Sequence, residues 1–185
     1  MRVGEEMAKV LERAGWQVIH ERTIYDRQYT GAYDKSRAAV LKHLEENPSI
    51  LVTLDLHRDA IHTNGGVRIK PVVEIDGKKA AQVMIITGVQ EGAIANFPGW
   101  EKNLRFAAKL HVAAEESHPG LMRPLFFAQR KYNMDVTPYS LLLEMGADVN
   151  TLEEAVYSGR LMGEVLAGML EQYRIDSEKI NKLRM

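Results

Sequence analysis

The chain contains no cysteine among its 185 residues. This absence excludes disulfide bonds, thiolate zinc sites and cysteine nucleophiles. No uninterrupted apolar run approaches the ~18 residues that a transmembrane helix needs, and the first residues lack the apolar core of a signal peptide. The sequence therefore predicts no membrane segment within this chain.

An excess of positive charge is also missing. The chain has 24 Lys and Arg residues against 25 Asp and Glu residues, and no basic run stands out. Proteins that bind nucleic acid usually carry a basic patch that contacts phosphates. Nucleic acid is therefore not an expected partner.

Two common active-site motifs are absent as well. There is no Gly-x-Ser-x-Gly elbow, so a metal-independent serine hydrolase or esterase, which is one alternative class, has no nucleophile here. Gly65 and Gly66 lack the spacing and the strand-to-helix context of a phosphate-binding loop.

The segments that are present predict a single α/β domain. Hydrophobic residues make up 45% of the chain, which is enough for one core. The domain is expected to span residues 1–175, followed by a charged tail at 176–185. The pattern predicts a mostly parallel sheet flanked by helices on both faces, with helices at about 7–14, 36–46, 99–117 and 150–173, strands at 16–20, 50–57, 123–129 and 139–144, and a hairpin around Asp76-Gly77.

Two of these strands end in side chains that suit catalysis. The strand 50–57 ends at His57, and alternation places Asp55 on the same face as His57. The strand 139–144 ends at Glu144, just before a glycine turn. Because carboxyl ends of parallel strands meet at one edge of a sheet, we expect His57 and Glu144 to lie together. Neutral imidazole and carboxylate groups are typical of a zinc site that activates water.

Each of these residues also has a purely structural interpretation. A histidine at a strand end is often a satisfied structural group, and the structural interpretation of Glu144 is a salt bridge to Arg58. A buried carboxylate is costly unless it is paired or functional, which favours a role for Glu144. His20 also ends a predicted strand, and we expect it to line the same crevice without binding metal.

The chain resembles the stage II sporulation protein P family, which comprises zinc-dependent N-acetylmuramoyl-L-alanine amidases of the amidase_3 type. The resemblance extends over nearly all of the chain. It is most specific in the segment Asp-Leu-His-Arg-Asp at 55–59 and the segment Asn-Thr-Leu-Glu-Glu-Ala at 150–155.

The resemblance implies an activity and a set of roles. His57 would be a zinc ligand and Glu144 the catalytic carboxylate. Arg58, Asp59 and His20 would support the zinc ligand or contact the substrate. The substrate would be peptidoglycan, cleaved between N-acetylmuramic acid and L-alanine. Stage II sporulation protein D and other engulfment proteins would be partners, and the full-length relatives would be extracytoplasmic and membrane-anchored.

The chain also departs from the family pattern. Family members carry a first strand with a histidine and a glutamate that bind zinc, ahead of the helix that corresponds to residues 4–14. We therefore expect an N-terminally incomplete domain that lacks its first strand, holds an incomplete zinc ligand set and is inactive alone. The alternative is a catalytically dead domain of the same fold that binds the cell wall or a partner.

Overall fold

The structure is a computed structural model that describes residues 1–25 and 31–183, with side chains described as far as Arg174. Its elements, in chain order, are α1 Arg2–Arg13, α2 Ala32–Glu46, β1 Thr53–Asp59, β2 Val72–Ile75, β3 Lys78–Ala81, β4 Val83–Gly88, α3 Trp100–Ser117, β5 Phe126–Ala128, β6 Ser140–Ala147 and α4 Leu152–Leu183. In the part of the chain that the structure describes, no helix is both long and apolar enough to cross a membrane.

The main sheet has four strands in the order β1-β6-β4-β5. Two of its three pairings, β1 with β6 and β4 with β5, are parallel, while β4 and β6 are antiparallel. Helices flank this mixed, mostly parallel sheet, so the predicted fold class is confirmed. Within the described residues β1 is an edge strand, with a neighbour on one side only.

One face of the sheet is covered by α1, α3 and α4. We call it the helix-covered face. Alternation along β4 and β6 directs every second side chain into this layer, which forms the larger core of the molecule. The residues that β4, β6 and α3 contribute to this core are essentially inaccessible to solvent. They include Val83, Ile85, Leu141, Leu143, Phe106 and Leu110.

The opposite face, which we call the site face, has a smaller core. Ile86 and Leu142 of the sheet pack there against Phe97 and Met134 of the loops. The helix α2 belongs to this side but buries none of its residues. It is attached by polar contacts to the loop after β5.

A bidentate ion pair attaches α2 to the loop after β5. Arg37 Nη1 and Nη2 donate to Asp135 Oδ1 and Oδ2 at 2.7 and 2.9 Å. Asn133 Nδ2 donates to the carbonyl oxygen of Tyr33 at 3.2 Å and to Ser36 Oγ at 3.0 Å. Burial opposes ionisation of Asp135, but its hydrogen bonds from Arg37 and Lys131 hold its pKa below the ordinary value.

Local sequence signals explain two of the boundaries. Asp76 and Gly77 both have positive φ, at 50° and 71°, as a tight hairpin turn between β2 and β3 requires. After Gln82 the second arm continues into the main sheet as β4, as predicted. At the start of α4, the Glu154 N–H donates to Thr151 Oγ1 and the Thr151 N–H donates to Glu154 Oε2, which is a capping box.

The structure corrects several predicted boundaries. Residues 16–20 do not form a strand, because they have no strand partner among the described residues; Trp16 and Val18 instead pack against the helix-covered core. The helix α2 begins at Ala32, four residues before the predicted start, and α4 continues to Leu183. Val112 of α3 is 53% exposed.

Candidate active site

The parallel register of β1 and β6 brings the two predicted residues together. His57 is the direct partner of Glu144, and Leu56 is the partner of Leu143. Since Leu56 and Leu143 both belong to the helix-covered core, His57 and Glu144 lie together on the site face. The expectation that they share one side of the sheet is confirmed.

A carboxylate from the same strand contacts the imidazole. Asp55 Oδ1 lies 2.9 Å from His57 Nε2, and both side chains are partly exposed. The ring of Tyr33, from α2, lies parallel to the imidazole with 6.3 Å between the ring centroids. Asp55 and Tyr33 therefore limit the orientation of His57. A fixed orientation suits a histidine that must direct a ring nitrogen at a bound group.

Glu144 is held in a poorly solvated position. Its Oε2 atom is buried and has no hydrogen-bond partner in the part of the chain that the structure describes. Burial raises the pKa of Glu144, an effect opposed by electrostatic interactions with His57 and Arg123 and increased by those with Asp59 and Asp55. Among the described residues, no ion pair joins Glu144 to Arg58, so the salt bridge that would have explained this carboxylate is not formed.

A further charged pair lies beside these residues. Arg123 Nη2 lies 2.9 Å from Asp59 Oδ2, and the register of β1 shifts between His57 and Asp59. Asp59 Oδ1 also accepts a hydrogen bond from the Ala60 N–H at 2.7 Å. Sequence reasoning missed Arg123, although a single arginine in the otherwise apolar segment 121–127 was a signal that could have identified it.

Two of the candidate residues lie away from this group. Arg58 is exposed on β1. The imidazole of His20 contacts α1, because a Cβ atom placed on Gly4 would lie 2.8 Å from His20 Nε2 and 3.3 Å from the Leu56 side chain. Leu56 belongs to the helix-covered core, so His20 does not line the crevice with His57. Burial, more than any neighbouring charge, lowers the pKa of His20.

The residues of this site do not form a complete zinc centre by themselves. Over residues 1–25 and 31–174, no group of three histidine or carboxylate side chains is placed so that it could hold a metal ion. His57 and the unpartnered Glu144 oxygen have suitable chemistry, but a zinc ion would need ligands besides them.

Sequence comparison places the chain among known proteins. The family model described as stage II sporulation protein P matches residues 1–167. The chain belongs to the stage II sporulation protein P family. Stage II sporulation protein P of Bacillus subtilis (strain 168) is a relative that is 31% identical over 158 residues. The alignment covers 83% of this chain and 36% of the relative, so the chain spans about a third of that protein's length.

Structural comparison agrees with the predicted fold. The N-acetylmuramoyl-L-alanine amidase AmiC2 of Nostoc punctiforme matches with a TM-score of 0.50, over 93% of this chain and 80% of that one. The two sequences are 11% identical over the match, so the likeness concerns the fold. This member of the stage II sporulation protein P family therefore has an amidase-like fold.

Proposed function

We propose that this chain is the catalytic domain of a peptidoglycan hydrolase that acts in sporulation and cleaves the amide between N-acetylmuramic acid and L-alanine. Membership of a sporulation protein family and a fold shared with an amidase support the proposal. The main supporting observation is the partly buried Glu144 carboxylate beside His57, whose Oε2 atom is buried and has no hydrogen-bond partner among the described residues.

The role of Glu144 follows from its environment. A raised pKa makes a carboxylate a stronger base, and a base of this kind is most effective when it lies near the reacting water. Glu144 takes a proton from water as the oxygen bonds to the amide carbonyl carbon. It then passes that proton to the amide nitrogen as the C–N bond breaks, which releases a carboxylate and an amine.

His57 is proposed as one zinc ligand, held in position by Asp55. Zinc, when bound, would polarise the amide carbonyl and lower the pKa of water. The remaining ligands would have to come from outside the described residues, since these supply no set of three.

A peptidoglycan substrate would also place the domain outside the cytoplasmic membrane. Stage II sporulation protein D stays a predicted partner.

Substitution of Glu144 tests the proposal. We expect Glu144→Gln, in the product of the complete source gene, to lower turnover on purified peptidoglycan by roughly 10² or more, because the base is lost while shape is kept. Zinc content should stay nearly unchanged. The assay counts new L-alanine amino termini, and Arg105→Gln, on the exposed side of α3, is the matched control.

The same assay distinguishes the alternatives. His57→Ala should lose zinc and activity together, and the 185-residue chain alone should be inactive with or without added zinc. Turnover of Glu144→Gln within a few-fold of the unsubstituted protein would refute the proposed base. If the complete gene product binds peptidoglycan but releases no amino termini, it is a wall-binding domain of the same fold.

A further inference from the structure

Packing alone does not explain the direction in which the Arg123 side chain extends. Its backbone N–H donates to the Val83 carbonyl oxygen at 2.7 Å, which fixes the residue beside β4. Its guanidinium reaches Asp59 of β1, with Nη2 2.9 Å from Oδ2. Since β6 lies between β4 and β1, the side chain must cross β6, the strand that carries Glu144.

Two polar atoms near this crossing have no partner. Arg123 Nη1 is buried without a hydrogen-bond partner within the described residues, and so is Glu144 Oε2. The two side chains are not joined by an ion pair, although they have opposite charges and each influences the other electrostatically. Buried donors and acceptors in native proteins are almost always satisfied, so an unpaired donor and an unpaired acceptor on side chains that influence each other electrostatically indicate a site for a small polar group.

Asp59 fixes which part of the guanidinium is available. It engages Nη2, and it is itself anchored by the Ala60 N–H and by its place in the irregular end of β1. Nη1, which is buried and has no partner among the described residues, is therefore a donor available to an oxygen atom of a bound group. A carbonyl oxygen can accept from this one nitrogen, whereas a carboxylate normally binds two guanidinium nitrogens at once.

We propose that Arg123 is a catalytic residue that binds the carbonyl oxygen of the scissile amide and stabilises its negative charge in the tetrahedral intermediate. This inference rests on the proposed function. Arg123 donates hydrogen bonds and keeps its proton, while Glu144 carries the proton from water to the leaving amine. Asp59 is a positioning residue that holds the guanidinium over β6.

The test compares kcat with KM for Arg123→Gln and Arg123→Lys in the product of the complete source gene, with soluble muropeptides as substrates. An interaction made mainly in the transition state lowers kcat and leaves KM nearly unchanged. We expect Arg123→Gln to lower kcat by roughly 10²–10³ with KM within about threefold. Arg123→Lys should recover part of kcat, because it keeps the charge. Arg105→Gln is the control, and melting temperatures monitor folding.

Three results would overturn the inference. The first is a kcat of Arg123→Gln within about threefold of the unsubstituted protein. The second is a loss that lies in KM and disappears with muropeptides whose stem carboxylates are amidated, which would make Arg123 a carboxylate-binding residue. The third is an equal loss for Arg123→Lys and Arg123→Gln with lowered melting temperatures in both, which would make its role structural.

The same measurements separate this inference from the proposed function. If Glu144→Gln loses activity and Arg123→Gln does not, only the role of Arg123 is wrong. If the unsubstituted complete protein releases no L-alanine amino termini, both proposals fail.

Discussion

The two faces of the central sheet are stabilised in different ways. On the helix-covered face, side chains such as Leu141 and Leu143 are essentially inaccessible and pack against α1, α3 and α4. On the site face, α2 buries no residue and is attached mainly through the Arg37–Asp135 ion pair. Apolar burial is insensitive to pH, whereas a carboxylate pair is not. The stability of the helix-covered face therefore depends on apolar packing, whereas the stability of the site face depends on charge.

A cavity in the core of the helix-covered face should lower the stability of the protein most. Leu143 is fully buried next to Glu144 in sequence but on the opposite face. We expect Leu143→Ala to lower the free energy of unfolding by about 2–5 kcal/mol, because it removes packed atoms and leaves a cavity. Denaturant unfolding at pH 7 and pH 5 should give nearly the same loss. Val112→Ala, at an exposed position of α3, is the control and should stay within about 0.5 kcal/mol.

Removal of the charge that attaches α2 should have a smaller and pH-dependent effect. Asp135→Asn weakens the bonds to Arg37 and Lys131, and we expect a loss of about 1–3 kcal/mol at pH 7. The folded-state pKa of Asp135 is lowered, so its contribution is present above the ordinary value of 3.8 and is lost as pH falls below that value. Unfolding measured from pH 7 to pH 3 should show the difference shrink. A constant difference would contradict this account.

The smallest loss of stability should come from a change at the N-terminus of α4. Thr151 and Glu154 form the capping box of α4, which packs on the helix-covered face. Thr151→Ala removes one acceptor, so we expect a loss of about 1 kcal/mol. Thr151→Ser should retain most of the stability. Thermal unfolding of the three proteins measures the difference, and equal losses for both variants would show that the cap contributes little.

The sequence was informative where local pattern and register determine the outcome. The strand signals at 50–57 and 139–144 were sufficient to predict that His57 and Glu144 end two strands and lie together on one side of the sheet. The turn at Asp76-Gly77 was predictable because few residues accept positive φ. These features depend on neighbours along the chain or on a single strand pairing.

Features that depend on how distant parts of the chain pack together were not predictable from the sequence. Residues 16–20 have the composition of a strand but lack a strand partner in the described structure. Arg123 is distant in sequence from Asp59, and only the order of the strands brings its guanidinium across β6. The position of His20 against Gly4 likewise depends on how α1 packs.

We propose that Glu144 lowers the stability of the fold and that its function as a base explains its presence. Its pKa is raised in the folded state, so ionisation destabilises the fold as pH rises above the ordinary value of 4.5. A neutral, similarly shaped glutamine removes that cost.

The most direct test therefore measures the stability and the amidase turnover of Glu144→Gln in the same preparation at pH 7. The account predicts a higher free energy of unfolding at pH 7, a gain that disappears towards pH 4, and turnover that is lower by roughly 10² or more. A variant that is less stable than the unsubstituted protein at pH 7, or one that keeps its turnover, would contradict it.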